Sequence, residues 1–178
     1  MDYFKGKTMK KLLLALIISL TTFIHAENGQ TFTLTTTADK NITVTDTKEG
    51  LDFKEFKGKA VLLALFGHRC PPCLKEIPEF IELTNKHKDD LEIIAIEAQL
   101  YPTDKVKEFV TDHNMNYNVI AGVDHGDFVS YIAERAGYTR GLPLPLLIAV
   151  NKNGEVENVQ AGLIREDELE ILVKDLND

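Results

Sequence analysis

The chain has 178 residues, 20 Lys and Arg against 28 Asp and Glu, a net charge of −8 and only two cysteines. That length suffices for one domain with a full core, and 44% hydrophobic residues without a low-complexity tract mark a globular chain rather than a disordered one. The acidic balance argues against nucleic acid or an anionic lipid surface as a partner; it would suit a basic protein partner and is most simply a solubility feature.

In chain order, the first segment reads as a targeting sequence. Met9-Lys10-Lys11 is a charged start, Leu12 to Ile24 is apolar except at Ser19, Thr21 and Thr22, and His25-Ala26 leads into polar Glu27-Asn28-Gly29-Gln30. This is the layout of a secretory signal, whose apolar stretch usually runs about 7–15 residues. Residues 1–26 are therefore expected to be a signal peptide cleaved after Ala26, with Met9 as the true start and 27–178 as the mature domain. The competing reading is an uncleaved membrane anchor, for which the stretch is short against the roughly 20 residues a span needs. No cysteine follows it, so a lipid anchor on cysteine is excluded. Beyond residue 26 the balance is 16 basic against 27 acidic residues.

Two alternating stretches, Thr31 to Thr35 and Asn41 to Thr45, are separated by Ala38-Asp39-Lys40 and predict a β-hairpin. Leu51 to Lys59 is polar with Phe53 and Phe56 and reads as a helical turn. Ala60 to Phe66 is continuously apolar, the mark of a central strand buried on both faces. Pro72 to about His87 reads as a helix with Pro78 inside it, where a proline is expected to kink it. Leu91 to Ala98 is a second buried strand. A helix over Thr103 to His113, a short strand over Tyr117 to Ala121, and a helix over Asp124 to Ala136 closed by Gly137 follow. Leu146 to Val150 and Glu155 to Ala161 are strands joined by the turn Asn151-Lys152-Asn153-Gly154, and Arg165 to Leu176 is the last helix. Strands alternating with helices and ending in a hairpin give one domain with a mixed α/β sheet.

The most informative run is Gly67-His68-Arg69-Cys70-Pro71-Pro72-Cys73. It places both cysteines two residues apart, between a buried strand and the start of a helix. A structural disulfide normally closes a longer loop, because its entropic gain grows with loop length. A pair this close constrains almost nothing. It suits exchange instead: each thiol can resolve a mixed disulfide made by the other, and a helix N-terminus favours the thiolate.

These residues resemble the TlpA/ResA-like (DsbE-type) group of thioredoxin-fold thiol-disulfide oxidoreductases, over roughly Phe32 to Val173. Three ordered features carry the resemblance: Phe66 to Cys73; Leu74-Lys75-Glu76-Ile77-Pro78; and Gly141-Leu142-Pro143-Leu144-Pro145 followed by the strand Leu146 to Val150. The resemblance implies a thioredoxin-like fold, a mixed central sheet flanked by helices, with an N-terminal β-hairpin extension. Within it, Cys70 is expected to be the exposed nucleophile and Cys73 the buried resolving thiol, with Pro71 and Pro72 stiffening the loop. Pro145, rather than Pro143, falls on the family's cis-proline position, and Leu144 would present its backbone to an incoming chain. Glu76 is expected to relay a proton to Cys73 with its acidity weakened by burial, against the alternative of a solvated helix glutamate.

The departures concern the same loop. Arg69 stands where the family usually has tryptophan and either stabilises the Cys70 thiolate or points to solvent. His68 adds to that effect near neutral pH or is a plain surface histidine. Ala64 occupies the place where many thioredoxins keep a buried acid, which raises the weight on Glu76. Leu146 replaces the usual threonine after the cis-proline. His113 and His125 read as surface residues.

The expected function is an exported, monomeric protein disulfide reductase with no cofactor beyond the Cys70–Cys73 pair and no metal. The resemblance implies protein disulfides as substrates, apocytochrome c among them, and a membrane electron donor of the DsbD/CcdA type. Two alternatives stay open: an oxidant or isomerase, and a non-enzymatic thiol metal carrier. A c-type haem site is excluded because Leu74, not histidine, follows Cys73.

Overall fold

The computed structural model describes residues 29–177. The signal-peptide expectation falls on residues 1–26 and so lies outside the described residues. Among the described residues no helix is long and apolar enough to cross a membrane.

The centre is a five-stranded sheet made by β4 (Ala60–Phe66), β5 (Leu91–Glu97), β6 (Asn118–Ala121), β7 (Leu146–Val150) and β8 (Val156–Ala161). Its order is β6-β5-β4-β7-β8, with β4, β5 and β6 parallel and β7 and β8 antiparallel to their neighbours. Each parallel crossover is long enough to carry a helix: α1 (Pro71–Lys86) links β4 to β5, and α2 (Thr103–Asp112) links β5 to β6. Two further helices are α3 (Gly126–Arg135) and α4 (Glu166–Asn177).

The apolar run of β4 divides by alternation. Ala60, Leu62, Ala64 and Phe66 face a layer containing α1, α2 and α4, with Ile77, Phe80, Val106, Leu169 and Val173. Val61, Leu63 and Leu65 face the opposite layer, with Phe128 and Ile132 of α3. That second layer also holds Phe32, Leu34, Ile42, Val44, Leu51 and Phe53 from the N-terminal strands. Those strands are β1 (Thr31–Thr35), β2 (Asn41–Asp46) and β3 (Leu51–Phe53), an antiparallel sheet of three.

The expected hairpin is therefore one strand short. Leu51 to Phe53 pairs with Val44 to Asp46, and only Lys54–Phe56 forms the helical turn read over the whole segment. The reason is burial: Leu51 and Phe53 join the second core layer, and a two-stranded ribbon would leave them exposed. The small sheet is tied to both edges of the large one. Thr37 donates to Val119 at 2.7 Å on the β6 side, and Leu51 donates to the Gly154 carbonyl at 2.8 Å at the β7–β8 turn.

Helix ends follow the sequence signals closely. Gly137 takes a left-handed φ of 88° after α3, with Gly137 and Tyr138 donating to the carbonyls of Glu134 and Ala133. Pro78 lies on the exposed side of α1, and the helix runs through it. Two surface readings are corrected. His125 is half-buried, and its Nε2 accepts the Thr35 N–H at 3.0 Å, pinning β1 to the start of α3. His113 stacks on Phe109 with ring centroids 3.9 Å apart and bonds the Phe109 carbonyl through Nδ1.

Candidate active site

β4 delivers the cysteine loop to the C-terminal end of the sheet. After Phe66 the chain turns, with Cys70 N–H donating to the Gly67 carbonyl at 3.1 Å, and α1 begins. Cys70 is the N-cap: its backbone is extended, and its sulfur accepts the Cys73 N–H at 3.4 Å. The two prolines explain that contact. Pro71 and Pro72 fill the first two helical positions and have no N–H, so the first unpaired amide of α1 belongs to Cys73 and meets Sγ of Cys70. The cysteines form a disulfide with Cα atoms 5.2 Å apart.

Cys70 is 7% exposed and Cys73 2%. The order matches the expectation, but Cys70 is a small opening in the surface rather than a projecting thiol. The loop before it is held down on the β5–α2 connection, where Arg69 N–H donates to Gln99 Oε1 at 3.0 Å. Arg69 itself is exposed, so what it is seen to contribute is this backbone bond.

Glu76, three residues after Cys73 on the same face of α1, is 3% exposed. The solvated reading is overturned. Burial raises its acid to about 7; the charge of Glu79 adds to that, and the Ile164 N–H, donating to Oε1 at 3.1 Å, opposes it. Tyr117 is also pushed up by burial, with the Glu76 charge contributing.

The Leu144–Pro145 peptide is cis. Pro145 is buried and precedes Leu146, which lies opposite Leu65 in the β4–β7 register, so the proline and the cysteine loop share one end of the sheet. Leu144 is half-buried and packs against both core layers. Pro145 also accepts the Gly162 N–H at 2.8 Å, which joins this strand entry to the loop that carries Ile164.

Two site residues differ from, or were missing in, the sequence reading. His68 is not a plain surface histidine: its Nδ1 lies 2.8 Å from Glu97 Oε1, and its ring stacks on Tyr101 at 3.8 Å. Glu97, which the sequence reading does not single out, is 0% exposed. Its signal was present, an acid inside a run read as a buried strand, because a buried carboxylate demands partners. Among the described residues no group of three or more His, Cys, Asp or Glu is placed to hold a metal.

The Redoxin family matches residues 22–176 of this chain. The thiol-disulfide oxidoreductase ResA of Bacillus thuringiensis subsp. konkukian is 35% identical over 137 residues, 75% of this chain and 73% of that protein. ResA of Halalkalibacterium halodurans is 31% identical over 123 residues, 68% of this chain, which spans 65% of that relative's length. Among solved structures, a thiol:disulfide interchange protein of the thioredoxin family from Chlorobium tepidum superposes with a TM-score of 0.62 at 20% identity. The match covers 85% of this chain and 96% of that one, and it shows the shared fold.

Proposed function

The chain belongs to the Redoxin family, among the thioredoxin-fold thiol-disulfide oxidoreductases, and we propose that it works as an exported reductase of protein disulfides. The observation that carries the reading is the Cys70–Cys73 pair at the N-terminus of α1 with a buried, weakly acidic Glu76 one turn inside it.

In the reduced protein the Cys70 thiolate attacks one sulfur of a partner disulfide. That bond breaks, the Cys70–partner bond forms, and the leaving sulfur takes a proton from solvent. Cys73 then gives its proton to the Glu76 carboxylate and attacks Cys70. The mixed disulfide breaks, the second partner sulfur leaves and is protonated, and the Cys70–Cys73 bond closes. Two electrons pass from the dithiol to the partner. Regeneration needs a dithiol donor, for which a membrane protein of the DsbD/CcdA type is the candidate. The relatives named ResA and the apolar segment before Ala26 support work outside the cytoplasm. An oxidised Cys-X-X-Cys-His segment of apocytochrome c is the candidate substrate.

The test is trapping. Reduced Cys73→Ser protein is mixed with insulin and, separately, with a peptide carrying an oxidised Cys-X-X-Cys-His motif. The expected result is a covalent adduct through Cys70 that dithiothreitol releases, absent with Cys70→Ser, and faster with the peptide. No adduct with either probe would refute the reading; equal rates would refute the cytochrome role and leave general disulfide reduction.

A further inference from the structure

Glu97 ends β5 with a carboxylate that has no solvent exposure. Its Oε1 receives the His68 ring Nδ1 at 2.8 Å and the Gln99 N–H at 3.1 Å, with the His68 N–H at 3.4 Å; its Oε2 receives the Tyr101 N–H at 2.9 Å. Every donor belongs to one of two loops, the segment leading into Cys70 or the β5–α2 connection. Burying a carboxylate is unfavourable, and this one braces no strand or helix in return. What it holds is the cysteine loop against the β5–α2 connection.

Its place in the sheet sharpens the point. Ala64, where many thioredoxins carry an acid, pairs with Ala95, while Phe66 pairs with Glu97. A buried acid thus stands one strand over and two residues nearer the cysteines. Such a charge opposes formation of a thiolate at Cys70, two residues beyond His68, whereas the His68 N–H groups that meet it partly compensate it. A dithiol with a less stabilised thiolate is the more reducing one.

We propose that Glu97 is the positioning residue of this site: it fixes the Cys70 loop and, balanced by His68, holds back ionisation of the Cys70 thiol. The role rests on reading the pair as a reductase. Tyr101 stacks on His68, and the other titratable and charged groups on the adjoining elements are Arg69 in the same loop, Asp104 and Lys105 at the start of α2, the latter paired with Glu108, and Glu76 on α1.

The experiment is the pH profile of Cys70 alkylation by iodoacetamide in the Cys73→Ser protein, with thermal melting recorded alongside. Glu97→Gln is expected to lower the profile's midpoint by about half to one pH unit, and His68→Ala to raise it by a similar amount. A role confined to bracing the loop would move both midpoints the same way or neither, and either result overturns the proposal. If Glu97→Gln does not fold, His68→Ala decides alone: a rise supports the proposal, and no change or a fall overturns it. A wild-type potential in the oxidant range would refute the reductase reading while leaving these opposite shifts intact.

Discussion

The Glu76 carboxylate accepts the backbone N–H of Ile164, 88 residues further along the chain, at 3.1 Å. The bond ties the turn of α1 beyond Cys73 to the loop that follows β8, and that loop bonds Pro145 through Gly162. One buried acid therefore couples the cysteine helix to the proline strand. Its burial also makes stability depend on pH. The folded acid titrates near 7 and a free one near 4.5, so the folded state binds the extra proton between those values. The contribution of this group to stability is fully present below about 4.5 and is lost as pH rises through about 7. Glu76→Gln should remove that slope. Measured by urea denaturation, the variant should gain up to about 3 kcal/mol relative to wild type between those limits. A constant difference across the range would contradict the burial account.

The same substitution tests the proton transfer. Glutamine still accepts the Ile164 N–H but cannot take the Cys73 proton. Resolution of a preformed Cys70 mixed disulfide, followed by stopped flow, should slow about 10- to 100-fold near neutral pH. The wild-type inflection near 7 should vanish from the profile, while attack by Cys70 is unaffected.

Two glycines separate loop docking from backbone packing. A Cβ on Gly67 would lie 2.4 Å from Gln99 Cδ, the movable end of a side chain; on Gly122 it would lie 2.3 Å from the Glu97 carbonyl oxygen. Gly67→Ala should swing Gln99 away, lose its bond to Arg69 and cost about 1 kcal/mol. Gly122→Ala must displace the end of β5 and should cost about 3 kcal/mol or more. Chemical denaturation of both variants checks the order.

Phe128 is fully buried, with its ring edge-on to Phe32 at 5.0 Å, and it joins α3 to the N-terminal sheet. Phe128→Ala should destabilise the protein by about 3–5 kcal/mol. Hydrogen exchange should show the loss in protection concentrated in β1 and β2, since their apolar face rests on that layer. Uniform loss across all strands would mean that the small sheet has no separate stability.

Much of this architecture is legible in the chain because local signals and tertiary demands agree. Ala60 to Phe66 has no polar residue, and it lies between β5 and β7 with both faces covered. Pro71-Pro72 after Cys70 marks a helix start, and Gly137 marks a helix end. What is not legible depends on partners that the local pattern does not announce. Leu51 to Phe53 is too short to announce a strand until Val44 to Asp46 pairs with it. His68 reads either as a tuning group or as a surface residue because its partner Glu97 is 29 residues on. Cys70 reads as exposed because the bond from Arg69 to Gln99 that lowers its loop spans 30 residues.

The most direct test is the reduction potential of the Cys70–Cys73 pair, measured by equilibration in glutathione or dithiothreitol buffers. A reductase should give a value near or below that of thioredoxin, about −270 mV. A value near that of the oxidant DsbA, about −120 mV, would reverse the direction of electron flow and contradict the account.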